Sequence, residues 1–97
     1  MAQFGVHRLG DGLVLDCQSD LLRDIDTRFV VPLVTRAEAG AATPRLMPAF
    51  LIEGEEKVML TPAASAVRAR DLGRLVTSLA DRSFEITDAI DILIGGG

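Results

Sequence analysis

Apolar residues in the first third of the chain recur at a spacing of two, the pattern of strands with one buried face. Phe4 and Val6 open the series, Gly10-Asp11-Gly12 interrupts it with turn chemistry, and Leu13-Val14-Leu15 answers as the return strand. A polar connection follows from Gln18-Ser19-Asp20 and contains Asp24, Asp26 and Arg28. It leads to Phe29-Val30-Val31-Pro32-Leu33-Val34, whose β-branched content suits a buried strand. Pro32 has no backbone N–H to donate, so its position predicts a sheet edge or a bulge.

Beyond that strand, residues 36–45 hold Gly40, Pro44 and several alanines, which fits a surface loop or a short helical turn. Leu46 to Ile52 and Lys57 to Thr61 flank Glu53-Gly54-Glu55 as the two arms of a hairpin. The period then changes: Leu72, Leu75, Val76 and Leu79 stand at helical spacing, while Gly73 weakens a helix there. A short helix or a final strand are both open readings of that segment. Ile86, Ala89, Ile90 and Leu93 form a continuous helical stripe, with Ser83 as the expected N-cap and Glu85 near the positive end. Ile92 and Ile94 widen the apolar face beyond a single stripe, which points to burial against a second chain, and Gly95-Gly96-Gly97 ends the helix.

Composition narrows the class. With 97 residues the chain is expected to form one domain over residues 1–97, and a fold of this size buries roughly 60–65% of its unfolded surface. Aliphatic side chains must build the core, because four Phe are the only aromatic residues. A lone cysteine, Cys17, excludes an intrachain disulfide and a Cys-based zinc site, and reads as a small core residue in a reducing compartment. No apolar run approaches the ~20 residues that cross a bilayer, so a cytoplasmic location without membrane contact is expected. The formal charge of −4 opposes direct nucleic-acid binding. That charge is concentrated in the last element, where Asp81, Glu85, Asp88 and Asp91 face a single base, Arg82.

Few constellations could support catalysis. His7, the only histidine, could be combined with Ser19 and Asp16 or Asp20 as a small hydrolase, but no Gly-x-Ser-x-Gly elbow surrounds that serine. Glu53, Glu55 and Glu56 lack the ordered oxygen ligands of a calcium loop. Arg68, Arg70 and Arg74 form a basic cluster best read as a solvated face. No catalytic residue, metal site or cofactor is expected, and residue patterning alone gives a strand-rich binding domain with a terminal helix.

Several ordered motifs resemble the CcdB family. Gln3-Phe4-x-Val6 is similar to its opening strand, and Leu13-x-Leu15-Asp16-x-Gln18-Ser19-Asp20-Leu21-Leu22 to its second strand and the following turn. Thr27-Arg28-x-Val30-Val31-Pro32-Leu33, Arg45-Leu46-x-Pro48, Ile52-x-Gly54-Glu55, Met59-x-Thr61 and Ala89-Ile90-Asp91 follow in order. The resemblance implies a mainly β fold with a C-terminal α-helix, an SH3-like antiparallel barrel or sheet of CcdB type. It further implies a homodimer that acts as the toxin of a type II toxin–antitoxin system. Such a toxin binds the DNA gyrase A subunit, poisons the cleaved gyrase–DNA complex and is neutralised by a cognate CcdA-like antitoxin.

Carried over residue by residue, the gyrase-contacting positions are Leu21, Leu22, Asp91, Ile94, Gly95, Gly96 and Gly97. The terminus departs from the family pattern, in which Trp-Gly-Ile follows an aromatic residue; here Ile94 precedes three glycines. Loss of a stacking aromatic removes contact area that commonly dominates an interface. A CcdB-fold protein that has lost gyrase toxicity, or binds another target, is therefore the alternative expectation.

Overall fold

The computed structural model describes residues 2–41 and 43–96. Among these, seven strands form one antiparallel sheet: β1 (Gly5–Leu9), β2 (Gly12–Asp16), β3 (Thr27–Val34), β4 (Ala49–Ile52), β5 (Glu55–Met59), β6 (Ser65–Arg68) and β7 (Leu75–Ser78). Their order is β4-β5-β3-β2-β1-β7, with β6 paired to the first half of β3. Two helices complete the fold, the single turn α1 (Arg36–Ala39) and the C-terminal α2 (Ser83–Leu93).

Register follows from one row of aliphatic residues. Leu15 stands opposite Val6 on one side and Val31 on the other, and all three are fully buried. A slip by one residue would turn the whole row to the opposite face, so burial of this face fixes the pairing. Leu33, Phe50, Ile52 and Met59 extend the row, and Leu79, Ile86 and Ala89 pack against it from the chain's last segment. Each fully buried aliphatic side chain contributes about 1.5–3 kcal/mol. Because side chains alternate, Val14 and Val30 emerge on the other face, where Leu72, Leu9 and Val67 cover them.

Pro32 occupies neither an edge nor a bulge. It pairs with Val14 inside the sheet, and its carbonyl accepts from Leu60 N at 2.9 Å on the opposite side. On that side β3 exchanges partners, from β6 at Thr27–Val30 to β5 at Leu33–Val34. The missing N–H faces this gap, so an interior strand tolerates proline without losing a ladder bond.

The segment after Leu72 resolves as strand β7 rather than a helix. Leu72 and Leu79 belong to apolar clusters on opposite faces of the sheet, and Leu75 is exposed, an arrangement one helical face cannot produce. Pairing with β1 satisfies backbone groups that a short Gly-containing helix would leave to water. Gly73 allows the approach: a Cβ there would stand 3.0 Å from the Arg8 carbonyl, which accepts from Gly73 N at 2.7 Å.

Local signals decide the remaining boundaries. Residues 36–45 begin with a helical turn, α1, held by a capping box in which Thr35 accepts from Glu38 N and Glu38 returns to Thr35 N. Glu53 and Gly54 both have positive φ, 52° and 81°, which closes the β4–β5 hairpin with a type I′ turn. Ser83 is not the N-cap of α2. A 3-10 turn at Ala80–Arg82 runs directly into the helix, with Arg82 at the cap position and no side-chain cap, and one residue ahead of the turn's own cap Ser78 Oγ accepts from Ala80 N at 3.2 Å.

Candidate functional site

Two exposed aliphatic groups stand on rigidly supported backbone. The first follows β2, where Asp20–Leu22 forms a 3-10 turn. Ser19 caps it, its Oγ accepting from Leu21 N at 3.2 Å, and Gln3 N donates to Asp20 Oδ1 at 2.8 Å. Leu21 is 92% exposed, and Leu22 and Ile25 are about half exposed.

A buried polar network braces that turn from below. Arg28 Nε donates to Asp16 Oδ2 at 2.9 Å and its Nη2 lies 2.7 Å from the same oxygen, with both side chains almost wholly inaccessible. Asp16 Oδ1 accepts from Gln18 N at 3.1 Å. The Gln18 amide then bridges outward, donating from Nε2 to Leu22 O at 3.0 Å while Oε1 accepts from Phe29 N at 2.9 Å. Leu21 and Leu22 are thereby held out before any partner arrives, which lowers the ordering entropy that binding must overcome.

The second group lies at the end of α2. Ile86 and Ala89 are fully buried, but the stripe emerges toward its end, with Leu93 40% and Ile94 74% exposed. Asp91 is exposed on the last turn. Gly95, at φ 85°, donates to Ile92 O at 3.2 Å, and Gly96 donates to Asp91 O at 2.7 Å. This pair of bonds is a Schellman motif, and it presents Ile94 from a closed helix end instead of a frayed one. Gly97 lies outside the described residues. Within one chain, no hydrogen bond among the described residues joins the turn carrying Leu21 and Leu22 to the end of α2.

Other residues singled out from sequence have ordinary surroundings. His7 is buried, with Nδ1 3.2 Å from the Gly73 carbonyl, so Nδ1 carries the proton and Nε2 has no partner among the described residues. Ser19 Oγ is engaged in its cap, and no hydrogen bond links it to His7 among the described residues. Cys17 lies in the core with its thiol directed at Leu15 O, and burial together with the neighbouring Asp16 pushes its pKa up to about 12. Glu56 forms a bidentate pair with Arg36 at 2.9 and 3.1 Å, and Glu55 stands 3.6 Å from Lys57 Nζ.

Phe84 and the Asp16–Arg28 pair did not emerge from the sequence pattern. Phe84 is 85% exposed and lines a cleft with Pro44 and Pro48, beside the bidentate Arg45–Asp88 pair at 2.9 and 2.8 Å. Its position off the Ile86–Ala89–Leu93 stripe was the available signal. For the buried pair, the signals were a lone acid inside an apolar strand and a lone base at the head of the next.

The sequence pattern described as CcdB protein matches residues 3–96. A solved structure described as an endoribonuclease in complex with its cognate antitoxin, from mycobacterial species, superposes with a TM-score of 0.80. It is 15% identical, and the match covers 98% of this chain and 95% of that one. Likeness at that identity establishes the fold and does not carry the activity. No curated protein sequence matches. Among the described residues, no helix is long and apolar enough to cross a membrane.

Proposed function

The chain belongs to the CcdB family, and on that premise we propose that it is the toxin component of a type II toxin–antitoxin system. It acts as a binding protein without an active site of its own. As a homodimer it engages the DNA gyrase A subunit, stabilises the cleaved gyrase–DNA complex and is released by a cognate CcdA-like antitoxin. Leu21, Leu22 and Ile94 supply the apolar anchors, while Asp91, Gly95 and Gly96 shape the helix end around Ile94.

One observation carries this reading: aliphatic side chains at the family-matched positions are exposed on backbone already fixed by the Gln18 network and the Gly95-Gly96 cap. Anchors of this kind concentrate binding energy in a few side chains, and preorganisation spares the entropy of ordering them. Induced expression in gyrase-proficient cells tests it. Growth arrest with accumulated gyrase cleavage complexes, relieved by Leu21→Asp or Ile94→Asp, is expected. Normal growth together with failure to retain the gyrase A subunit sinks the gyrase reading.

A second reading is favoured by Ile94-Gly95 at the place where the family pattern carries aromatic bulk. In it the same scaffold still binds an antitoxin but has lost gyrase toxicity or acts on a different target. The described endoribonuclease of this fold makes RNA the target to examine. Degradation of cellular RNA without gyrase cleavage complexes on induction selects this alternative. Loss of that degradation in His7→Ala, with the fold intact, would give the hydrolase arrangement around His7 and Ser19 its only support.

A further inference from the structure

The two ends of the sheet converge. β4 and β7 are its terminal strands, yet Ala49, Phe50 and Leu51 of one and Val76, Thr77 and Ser78 of the other line a single cleft of about 520 Å³. The sheet curls as a half-barrel, and the seam lies between these edges.

Both edges present unpaired backbone to that seam. Met59 N donates to Pro48 O, which sets the β4–β5 ladder so that Phe50 and Ile52 face β5 while Ala49 and Leu51 turn their N–H and C=O groups outward. On the other side, Leu79 N donates to Phe4 O, so Thr77 faces β1 and Ser78 faces away. Val76 is the extra residue where the register shifts between Val6 and His7, so the regular alternation of this edge stops there.

The charge at the seam has a definite sign. Glu53, Glu56 and Asp81 border the cleft, and its one guanidinium, Arg82, is bound to Glu85 and lies 4.9 Å over the Phe50 ring. Glu56 is committed to Arg36, whereas Glu53 and Asp81 have no ion-pair partner among the described residues. Leu51 adds an aliphatic side chain that is 73% exposed.

We infer that the β4–β7 seam receives an extended segment of a partner protein as an added strand, with basic side chains meeting Glu53 and Asp81. Main-chain bonds to two edges supply affinity, and alternation places one set of side chains over Phe50 and the other toward the carboxylates. The inference is independent of the gyrase reading, because neither edge contains a residue assigned to that contact.

The test uses the full chain, a short alternating Lys/Val peptide and its Glu/Val counterpart, read by fluorescence polarisation and amide hydrogen exchange. Binding of the Lys/Val peptide with new protection at Ala49, Leu51 and Ser78 is expected. Ser78→Pro removes one outward donor and should weaken binding about threefold to tenfold. Glu53→Lys with Asp81→Lys should weaken it at least about fivefold, whereas Asp24→Lys, outside the cleft, should not. Circular dichroism establishes that each variant folds, and Leu51→Pro provides a second edge variant. Equal binding of the Glu/Val peptide, or protection confined to other elements, overturns the proposal. So does concentration-dependent protection of these three amides without peptide, which would identify a second copy of this chain as the occupant.

Discussion

Replacing Asp16 with Asn changes almost no volume but removes the negative charge beside Arg28, whose guanidinium is essentially sealed from water. Asn keeps one oxygen, which can accept from Arg28 Nε or from Gln18 N but not from both, and its amide nitrogen faces the other donor, so the substitution removes the charge and one acceptor together. An uncompensated buried charge after loss of its partner costs about 3–5 kcal/mol, a large fraction of the 5–15 kcal/mol typical of a whole domain. For a chain of 97 residues, each kcal/mol lowers the melting temperature by roughly 4–8 °C, so a fall of roughly 12–40 °C is expected. Thermal unfolding followed by circular dichroism, with urea titration as a second measure, reads the effect. Arg36→Ala is the control: its pair with Glu56 is exposed and screened by solvent, and its loss should leave the melting temperature almost unchanged. Asp16→Leu with Arg28→Met removes both charges and should recover most of the lost stability. The reasoning is refuted if Asp16→Asn melts within a few degrees of the parent, or if the double variant is no better than the single one. A localised consequence is also expected: faster amide exchange at Leu21 and Leu22, because the Gln18 bridge rests on Asp16.

Three further outcomes follow from features of the same fold. Gly95→Ala forces a Cβ into φ 85° at the helix cap and should destabilise by about 1 kcal/mol, measured by urea unfolding, whereas Gly12→Ala meets no such conformation and serves as control. Cys17 should resist alkylation in the native state and react at once in denaturant; because its pKa is raised to about 12, its stabilising effect is complete below the unfolded value near 9 and disappears as pH rises toward the folded one. Glu56, Glu85 and Asp88 are held below the usual carboxylate range by hydrogen bonds from Arg36, Arg82 and Arg45 respectively. Their contribution is present above the unfolded pKa near ~4 and is lost as pH falls through the depressed values, so the urea midpoint should drop on acidification, with a shallower drop in Arg45→Ala.

The inner face of the sheet was readable because burial leaves a period. Leu13 and Leu15 on β2, Val31 and Leu33 on β3, and Ile86 with Ala89 on α2 repeat at the spacing of their own elements. Two features escaped and one, the choice between helix and strand around Leu75, stayed open, for physical reasons that spacing cannot carry. Pro32 is accommodated by a partner exchange that exists only once β5 and β6 have both reached β3. The segment around Leu75 carries a helical spacing by coincidence, since its buried leucines serve opposite faces. Ser83 resembled an N-cap, but the preceding 3-10 turn leaves no free helix end for it to cap. The exposed site was legible in part: motif order located Leu21, Leu22 and the α2 terminus, while Gln18, Asp16 and Arg28, which set their posture, are joined only by the fold.

The cap on α2 also defines the chemistry a visitor can meet there. Gly95 and Gly96 occupy the carbonyls of Ile92 and Asp91, and Ile94 N occupies that of Ile90, so the helix end offers few vacant acceptors to an approaching donor. Around Ile94 the surface reads chiefly as hydrocarbon, bordered by the Asp91 carboxylate. Apolar contact tolerates small changes in the shape of its counterpart far better than a lattice of directional bonds does. A partner gripping this end can therefore drift in sequence while keeping its hold, provided that it keeps an aliphatic hollow and avoids placing a carboxylate opposite Asp91.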